Sequence, residues 1–380
     1  MAMQPSSLAG FYQQTRAAQK IVVVDLGFLG DTLHLVPGLW EIKRHYPSAA
    51  LHVVSSPLGA EVLRMAPCVD RIWSVRLKRA ERSWAEQWRL VRALRREQFD
   101  LALSFNGNDR CIILAGLTGA RWRVAHAAGR EHFWNRWLIP NWVPRQEPDL
   151  TVWEQRRQVL AACGFQLDPP RFALQVPEAA MKWSADLVPP GTAHLSPNSA
   201  NPLKEWLLDH HVVLLRSLWA DHPGLRVVAS GSPNPRERER LWKLVARVND
   251  SRLQLLPENL TLAQLAAVLT RCRLHLGPDS GVMHLAVALG VPTISFFREQ
   301  GAYRAWLPTG PLHQVIRVPC YCVDHHAAPC ERLGHAECLA RLEPEQVARL
   351  ARERLAESDP PLTNCSPRPD PPSILPGPIR

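Results

Sequence analysis

Asp279, Ser280, Gly281 and His284 stand within six consecutive positions of the stretch GPDSGVMHLAVALGVPTISFF, and they offer a carboxylate, a hydroxyl, a bare backbone and an imidazole to a single point. The apolar run 274–276 leads into them and breaks at Gly277-Pro278. A second run, 293–297, follows a helix that starts near Ser280. That order is strand, loop, helix, strand. A βαβ unit places such a loop at the carboxyl edge of a parallel sheet, where open α/β folds bind ligands. A helix starting there aims unpaired N–H groups and a positive dipole end at the loop, which suits a phosphate or diphosphate. Singly, each residue has an ordinary explanation: Asp279 or Ser280 as an N-cap, Gly281 as a tight-turn residue, His284 as a satisfied histidine on the inner helix face. Their coincidence is what points to a ligand.

A second turn of the same kind lies near the N-terminus. The apolar run 21–26, interrupted by Asp25, is followed by Gly27-Phe28-Leu29-Gly30-Asp31 and an amphipathic helix over about 32–45. The glycine spacing is not the GxGxxG of dinucleotide binding and no GxxxxGK[ST] follows, so nicotinamide and P-loop chemistry lose support. Gly27 and Gly30 allow a sharp turn, and Asp31 arrives at the helix entrance either as an N-cap or as a general base. In SPNSANPLKEW (196–206), a turn of small residues delivers Lys204, whose ammonium either neutralises a phosphate or is a surface charge. In GSPNPRERER (231–240), Glu237 or Glu239 falls in the first turns of a helix, inside what otherwise reads as a solvated charge run. Near the C-terminus, VPCYCVDHHAAPCERLGHAEC gathers Cys320, Cys322, Cys330 and Cys338 with His325, His326 and His335. The CxC interval is shorter than the usual structural zinc pair, so this segment reads either as a metal site or as free thiols in a compact loop.

These groups need elements to hold them. Further strands are expected at 51–55, 71–75, 101–105 and 121–125, with helices near 57–66, 80–98 and 109–118, an alternation that implies a parallel sheet covered on both faces. A helix over about 151–163 and prolines at 169, 170, 177, 189 and 190 close this unit. The scheme then repeats with strands at 192–196, 225–230 and 252–256 and helices at 205–220, 235–248 and 261–271. The expected organisation is a leader over 1–19, a doubly wound domain over 20–175, a second over 190–340 and a polar helix over 341–358. Eight prolines in the last 22 residues make 359–380 a disordered tail. Two such domains leave a cleft whose ligand touches loops of both.

At 380 residues two domains are favoured over one. No apolar run approaches the roughly 18 residues of a membrane span, and the first 20 residues lack a secretory apolar stretch. Nine cysteines in such a chain argue against a disulfide scaffold, so a cytoplasmic protein is expected. The net charge of +10 is uneven: residues 1–145 hold 20 Lys/Arg against 11 Asp/Glu and 8 of the 14 tryptophans. The helix at 80–98 carries Arg82, Arg89, Arg92, Arg95 and Arg96 with Trp84 and Trp88, and HFWNRWLIPNWVPR (132–145) adds three tryptophans. Both segments are candidates for a surface facing an acceptor or the inner face of the cytoplasmic membrane. Nucleic acid loses support because no C2H2 spacing, RNP-type motif or helix-turn-helix is present.

Several separated pieces together resemble one family, the ADP-heptose:lipopolysaccharide heptosyltransferases of glycosyltransferase family 9, over residues 20–356. They are the Gly30-Asp31 turn within LGFLGDTLHLVPGLW, the Lys204-Glu205-Trp206 entrance, GPDSGVMHLAVALGVPTISFF, and the Cys-rich segment running into LEPEQV. The resemblance implies a GT-B fold: two Rossmann-like domains facing across a cleft, acceptor on the N-terminal one and nucleotide sugar on the C-terminal one. It implies inverting, metal-independent transfer of heptose from ADP-heptose to a lipopolysaccharide inner-core acceptor, without a cofactor, in agreement with the lack of an Asp-x-Asp pair. Asp31 matches the general base. Lys204 and the Ser199-Ala200 turn match groups holding the diphosphate, around which Asp279, Ser280, Gly281 and His284 wrap. Glu237 matches a carboxylate near the ribose and Leu260 a residue packing by the base. Two positions depart: Asp25 stands where a basic residue is common, and Ala200 where a hydroxyl is common. The alternatives are the same fold with another nucleotide sugar and glycan acceptor, and a non-catalytic nucleotide-sugar-binding protein.

Overall fold

The fold is that of a computed structural model, which describes residues 8–76, 83–126, 135–144, 147, 149–320, 322 and 329–357. His325, His326, the tail and parts of the two Trp-rich segments, including Arg82 and Trp134, lie outside the described residues. Helix α1 (Phe11–Thr15) leads into β1 (Lys20–Val24), α2 (Leu29–His45), β2 (Ala50–Ser55), α3 (Pro57–Leu63), β3 (Arg71–Ser74), α4 (Trp84–Arg96), β4 (Leu101–Ser104), α5 (Asp109–Leu117), β5 (Trp122–His126), α6 (Asn135–Leu138), β6 (Asn141–Val143) and α7 (Val152–Ala162). The strands form a six-stranded parallel sheet in the order β3-β2-β1-β4-β5-β6. Ile21 sits between Leu51 and Leu101 in register. Ile21 to Val24 are all buried because helices cover both faces, which is why β1 reads as a continuous apolar run.

The second half runs α8 (Glu178–Leu187), β7 (Thr192–Leu195), α9 (Leu208–Asp221), β8 (Val227–Ala229), α10 (Pro235–Val248), β9 (Leu253–Leu255), α11 (Leu262–Arg271), β10 (Cys272–Pro278), α12 (Gly281–Ala288), β11 (Thr293–Glu299) and β12 (His313–Pro319). Its sheet has the order β12-β11-β10-β7-β8-β9, all parallel. Counted within each half, both sheets follow the 3-2-1-4-5-6 order of the doubly wound fold. Chain direction therefore reverses between β1 and β4 in one sheet and between β7 and β10 in the other. Ligands of this fold bind at those switch points, and the turns carrying Asp31, Lys204 and Asp279 follow β1, β7 and β10 respectively.

Several elements differ from the sequence reading. The Pro-rich stretch at 165–190 contains α8, which packs on α11 with Thr270 Oγ1 donating to Met181 Sδ. Helix α9 starts at Leu208, so Lys204 ends a short 3-10 turn, Pro202–Lys204, and Glu205-Trp206 are an extended link. Edge strands β6 and β12 were not expected. Trp142, read as part of an exposed aromatic surface, instead sits in β6, partly buried, with its indole N–H donating to Ile139 O at 2.7 Å. Residues 8–18, read as leader, bury Leu8, Phe11 and Ala18, and Phe11 meets Trp122 edge to face. The two halves also share apolar contact: Leu262, Ala266 and Leu269 of α11 and Leu285 and Ala286 of α12 join the core under the first sheet.

Candidate functional site

Asp31 is the third residue of α2. Its Oδ2 reaches back to accept the Phe28 N–H at 2.9 Å, so the carboxylate closes the helix entrance as well as facing the turn. A Cβ at Gly27 would collide with the Asp31 side chain, which is the physical reason for glycine there. Below it, Asp25 is fully buried and its Oδ1 accepts from Gly27 N–H at 3.0 Å. The counter-charge comes from α7. Arg156 Nη2 lies 3.1 Å from Asp25 Oδ2 and 3.7 Å from Asp31 Oδ1, and its Nη1 donates to the Asp31 carbonyl. Burial raises the Asp31 carboxyl above its usual range; Arg156 opposes this and the Asp25 charge adds to it.

Across the cleft, the turn after β10 presents Asp279. Its Oδ2 pairs with Lys204 Nζ at 2.5 Å and its Oδ1 lies 3.5 Å from His284 Nε2. Burial alone would raise this carboxyl, but His284 and Lys204 more than offset it and hold Asp279 below the usual range. Ser280 caps α12, its Oγ accepting from Met283 N–H at 3.3 Å. The Ser199 hydroxyl donates to the Asp279 carbonyl at 3.1 Å, and its N–H goes to Glu205 Oε1 at 2.9 Å, so Ser199 ties the two turns together. Ala200 is exposed beside it. The Lys204 side chain is 40 % exposed, which leaves the ammonium able to turn toward a ligand.

The two turns touch. A Cβ at Gly281 would stand 2.7 Å from Leu29 Cδ2, and one at Gly30 would stand 3.3 Å from His284 Cδ2 and from Trp306 Cζ3. His34, one turn after Asp31, meets His284 with Nε2···Nδ1 at 3.1 Å, and Trp306 packs on both rings. Since the Asp279 carboxylate only accepts, His284 Nε2 carries the proton; in the neutral His284 ring Nδ1 then accepts from His34 Nε2–H, which leaves His34 Nδ1 as an acceptor. That atom is buried without a partner among the described residues, and the His34 side chain lines a cavity of about 220 Å³ with Trp153, Phe172 and Thr309.

Glu237 is buried in the first turn of α10 and accepts from Ser232 N–H at 3.0 Å, whereas Glu239 is exposed and pairs with Lys243. Leu260 packs on a small cluster of Val188, Leu256 and Val268. In the C-terminal segment Cys322 and Cys330 have their Sγ atoms 3.4 Å apart. Arg298 donates both to Cys320 Sγ at 3.5 Å and to Leu203 O at 2.9 Å. Burial would raise the Cys320 thiol, but Arg298 more than offsets that and keeps it below its usual range. Among the described residues no group of three His, Cys, Asp or Glu side chains is arranged to hold a metal ion. Sequence reasoning missed Arg156, His34 and Trp306. Only His34 had a signal there, its i+3 spacing from Asp31 on one helix face.

A family model for glycosyltransferase family 9 (heptosyltransferase) matches residues 87–334. The lipopolysaccharide core heptosyltransferase OpsX of Haemophilus influenzae is 23 % identical over 306 residues, 80 % of this chain and 85 % of that protein. Among solved structures, the family 9 glycosyl transferase of Veillonella parvula superposes with a TM-score of 0.77 at 20 % identity, covering 90 % of this chain and 98 % of that one. The E. coli heptosyltransferase WaaC with ADP gives 0.71 at 19 %, covering 88 % and 99 %. The fold is thus GT-B, and the chain belongs to glycosyltransferase family 9 and is a glycosyltransferase.

Proposed function

We propose that the chain transfers heptose, with inversion, from ADP-heptose to a lipid-linked inner-core acceptor of lipopolysaccharide. The observation that carries this reading is the opposition of two turns at switch points: Asp31 on one sheet against Lys204, Asp279 and the α12 entrance on the other. In this reading the diphosphate lies over the first N–H groups of α12, with Lys204 swung from Asp279 to a phosphate oxygen. Leaving-group charge is then stabilised by an ammonium and a helix N-terminus. Asp279 is a positioning residue, since its charge orients Lys204 and His284 and would repel a phosphate placed directly on it. Glu237 receives the ribose and Leu260 packs by the base. Asp31, raised by burial, takes the proton of the acceptor hydroxyl as it attacks the anomeric carbon from the face opposite the diphosphate. Base and leaving group must lie on opposite sides of the sugar, and placing them on opposite domains meets that demand. Relatives that are lipopolysaccharide heptosyltransferases, and one neighbour with ADP bound, support the donor.

Calorimetry with ADP, UDP and GDP tests the donor. ADP is expected to bind most tightly, with transfer from ADP-heptose detected on a core-deficient lipopolysaccharide. A preference for UDP or GDP would replace heptose by another sugar.

A further inference from the structure

The outer face of α4 carries aromatic and basic side chains in one stripe. Trp84, Trp88, Arg92 and Arg96 recur every fourth residue, so each lies about one turn beyond the last and about 40° round from it, a row that winds along the exposed side with Arg89 and Arg95 flanking it. Val91 and Leu94, on the adjoining face, are buried against the first sheet. Trp84 is 79 % and Trp88 68 % exposed. Arg92 and Arg96 are exposed and have no carboxylate partner among the described residues. Helix α4 connects the carboxyl end of β3 to the amino end of β4, so its two tryptophans stand at the same sheet edge as the Asp31 turn.

We propose that this stripe docks the protein on an anionic phospholipid bilayer, with the indoles at headgroup level and the guanidinium groups on lipid phosphates. An indole ring is both apolar and a hydrogen-bond donor, which suits the boundary between headgroups and acyl chains. The arginines supply attraction that neutral lipid lacks, and the excess of 20 Lys/Arg over 11 Asp/Glu in residues 1–145 has the same sign. No helix among the described residues is long and apolar enough to cross a membrane, so contact has to be made from the surface. Docked by α4, the cleft rim that carries Asp31 lies near the bilayer, within reach of a lipid-anchored acceptor. The docking itself is independent of which sugar is moved.

The test is sedimentation of the full chain with vesicles of phosphatidylcholine alone and of phosphatidylcholine mixed with phosphatidylglycerol. Two variants, W84A/W88A and R92E/R96E, are compared with W137A, whose tryptophan is 85 % exposed on α6, close to the amino end of β6 at the other sheet edge. The wild type and W137A are expected to pellet with the mixed vesicles and to be released by salt. At about fivefold per basic residue, R92E/R96E should bind at least ~30-fold more weakly, and W84A/W88A should also lose binding. Circular dichroism and thermal midpoints matching the wild type exclude unfolding as the cause. Failure of the wild type to pellet, equal pelleting on phosphatidylcholine alone, or undiminished binding by both variants overturns the proposal. Because arginine and stacked aromatics also suit single strands, displacement from vesicles by a single-stranded oligonucleotide overturns it too.

Discussion

A carboxylate beside a guanidinium is ordinarily a weak base, since the cation favours the ionised form. Asp31 is in that position, yet burial outweighs Arg156 and the neighbouring Asp25 charge adds to the rise, so the carboxyl sits above its ordinary value of 3.8. Such a group binds a proton more readily than an exposed aspartate, which a general base requires. Replacement by asparagine retains the side-chain oxygen that caps α2 and removes the basicity together with the charge facing Arg156. Asp31→Asn should lower kcat by about 10²- to 10⁴-fold while ADP affinity stays unchanged in calorimetry. The direction of the shift also fixes the sign of the pH dependence. Activity needs Asp31 deprotonated, so the acid limb of the kcat profile should lie above the ordinary aspartate range and vanish in Asp31→Asn. A variant with wild-type turnover would remove Asp31 from the mechanism.

Helices α2 and α7 show what the sequence could and could not disclose. The entrance to α2 was legible because an apolar run stops at glycines and a carboxylate follows, and the entrance to α12 was legible for the same reason. Helix α7 was placed closely at 151–163, but nothing in the sequence singled out its paired arginines. Arg156 and Arg157 are in fact buried, facing Asp25 and Glu41 on segments far away in the chain. No local pattern encodes that, because the partner is chosen by packing. Edge strands β6 and β12 escaped for a related reason: covered on one side only, they lack the continuous apolar run of β1. Removing Arg156 leaves a buried carboxylate without its cation. Arg156→Met should therefore cost about 3–5 kcal/mol in urea denaturation, and Asp25→Asn added to it should restore most of the loss. A single-variant loss under about 1 kcal/mol would mean that water reaches Asp25 and the pair is dispensable.

At the scale of the whole molecule, the domains meet through a shared apolar core and a seam in which His34, His284 and Trp306 pack ring on ring. His34 has to be neutral to donate one proton to His284 and keep the other nitrogen free, and burial holds it well below 6.5. The second sheet repeats the arrangement with His194 and His275 stacked and bonded at 2.9 Å between Nδ1 atoms, one donor and one acceptor. Burial lowers both, His194 to about 3, and likewise lowers His211 to about 3. A folded-state pKa below the unfolded value of 6.5 means that the unfolded chain alone takes up the proton. The stability tied to these four histidines is therefore fully present above pH 6.5 and is lost as the pH falls below it. Four protons give a slope of at most about 5 kcal/mol per pH unit. Urea midpoints measured between about pH 7.5 and 5.5 should fall steeply in the lower half of that range. His34→Phe, which cannot titrate, should reduce the slope by at most about 1.4 kcal/mol per pH unit and loosen the seam, seen as a larger radius of gyration in solution scattering. A flat profile from pH 7.5 to 5.5 would show that these rings take up protons in the folded chain as readily as in the unfolded one, and His34 would then present a donor, not an acceptor, at Nδ1.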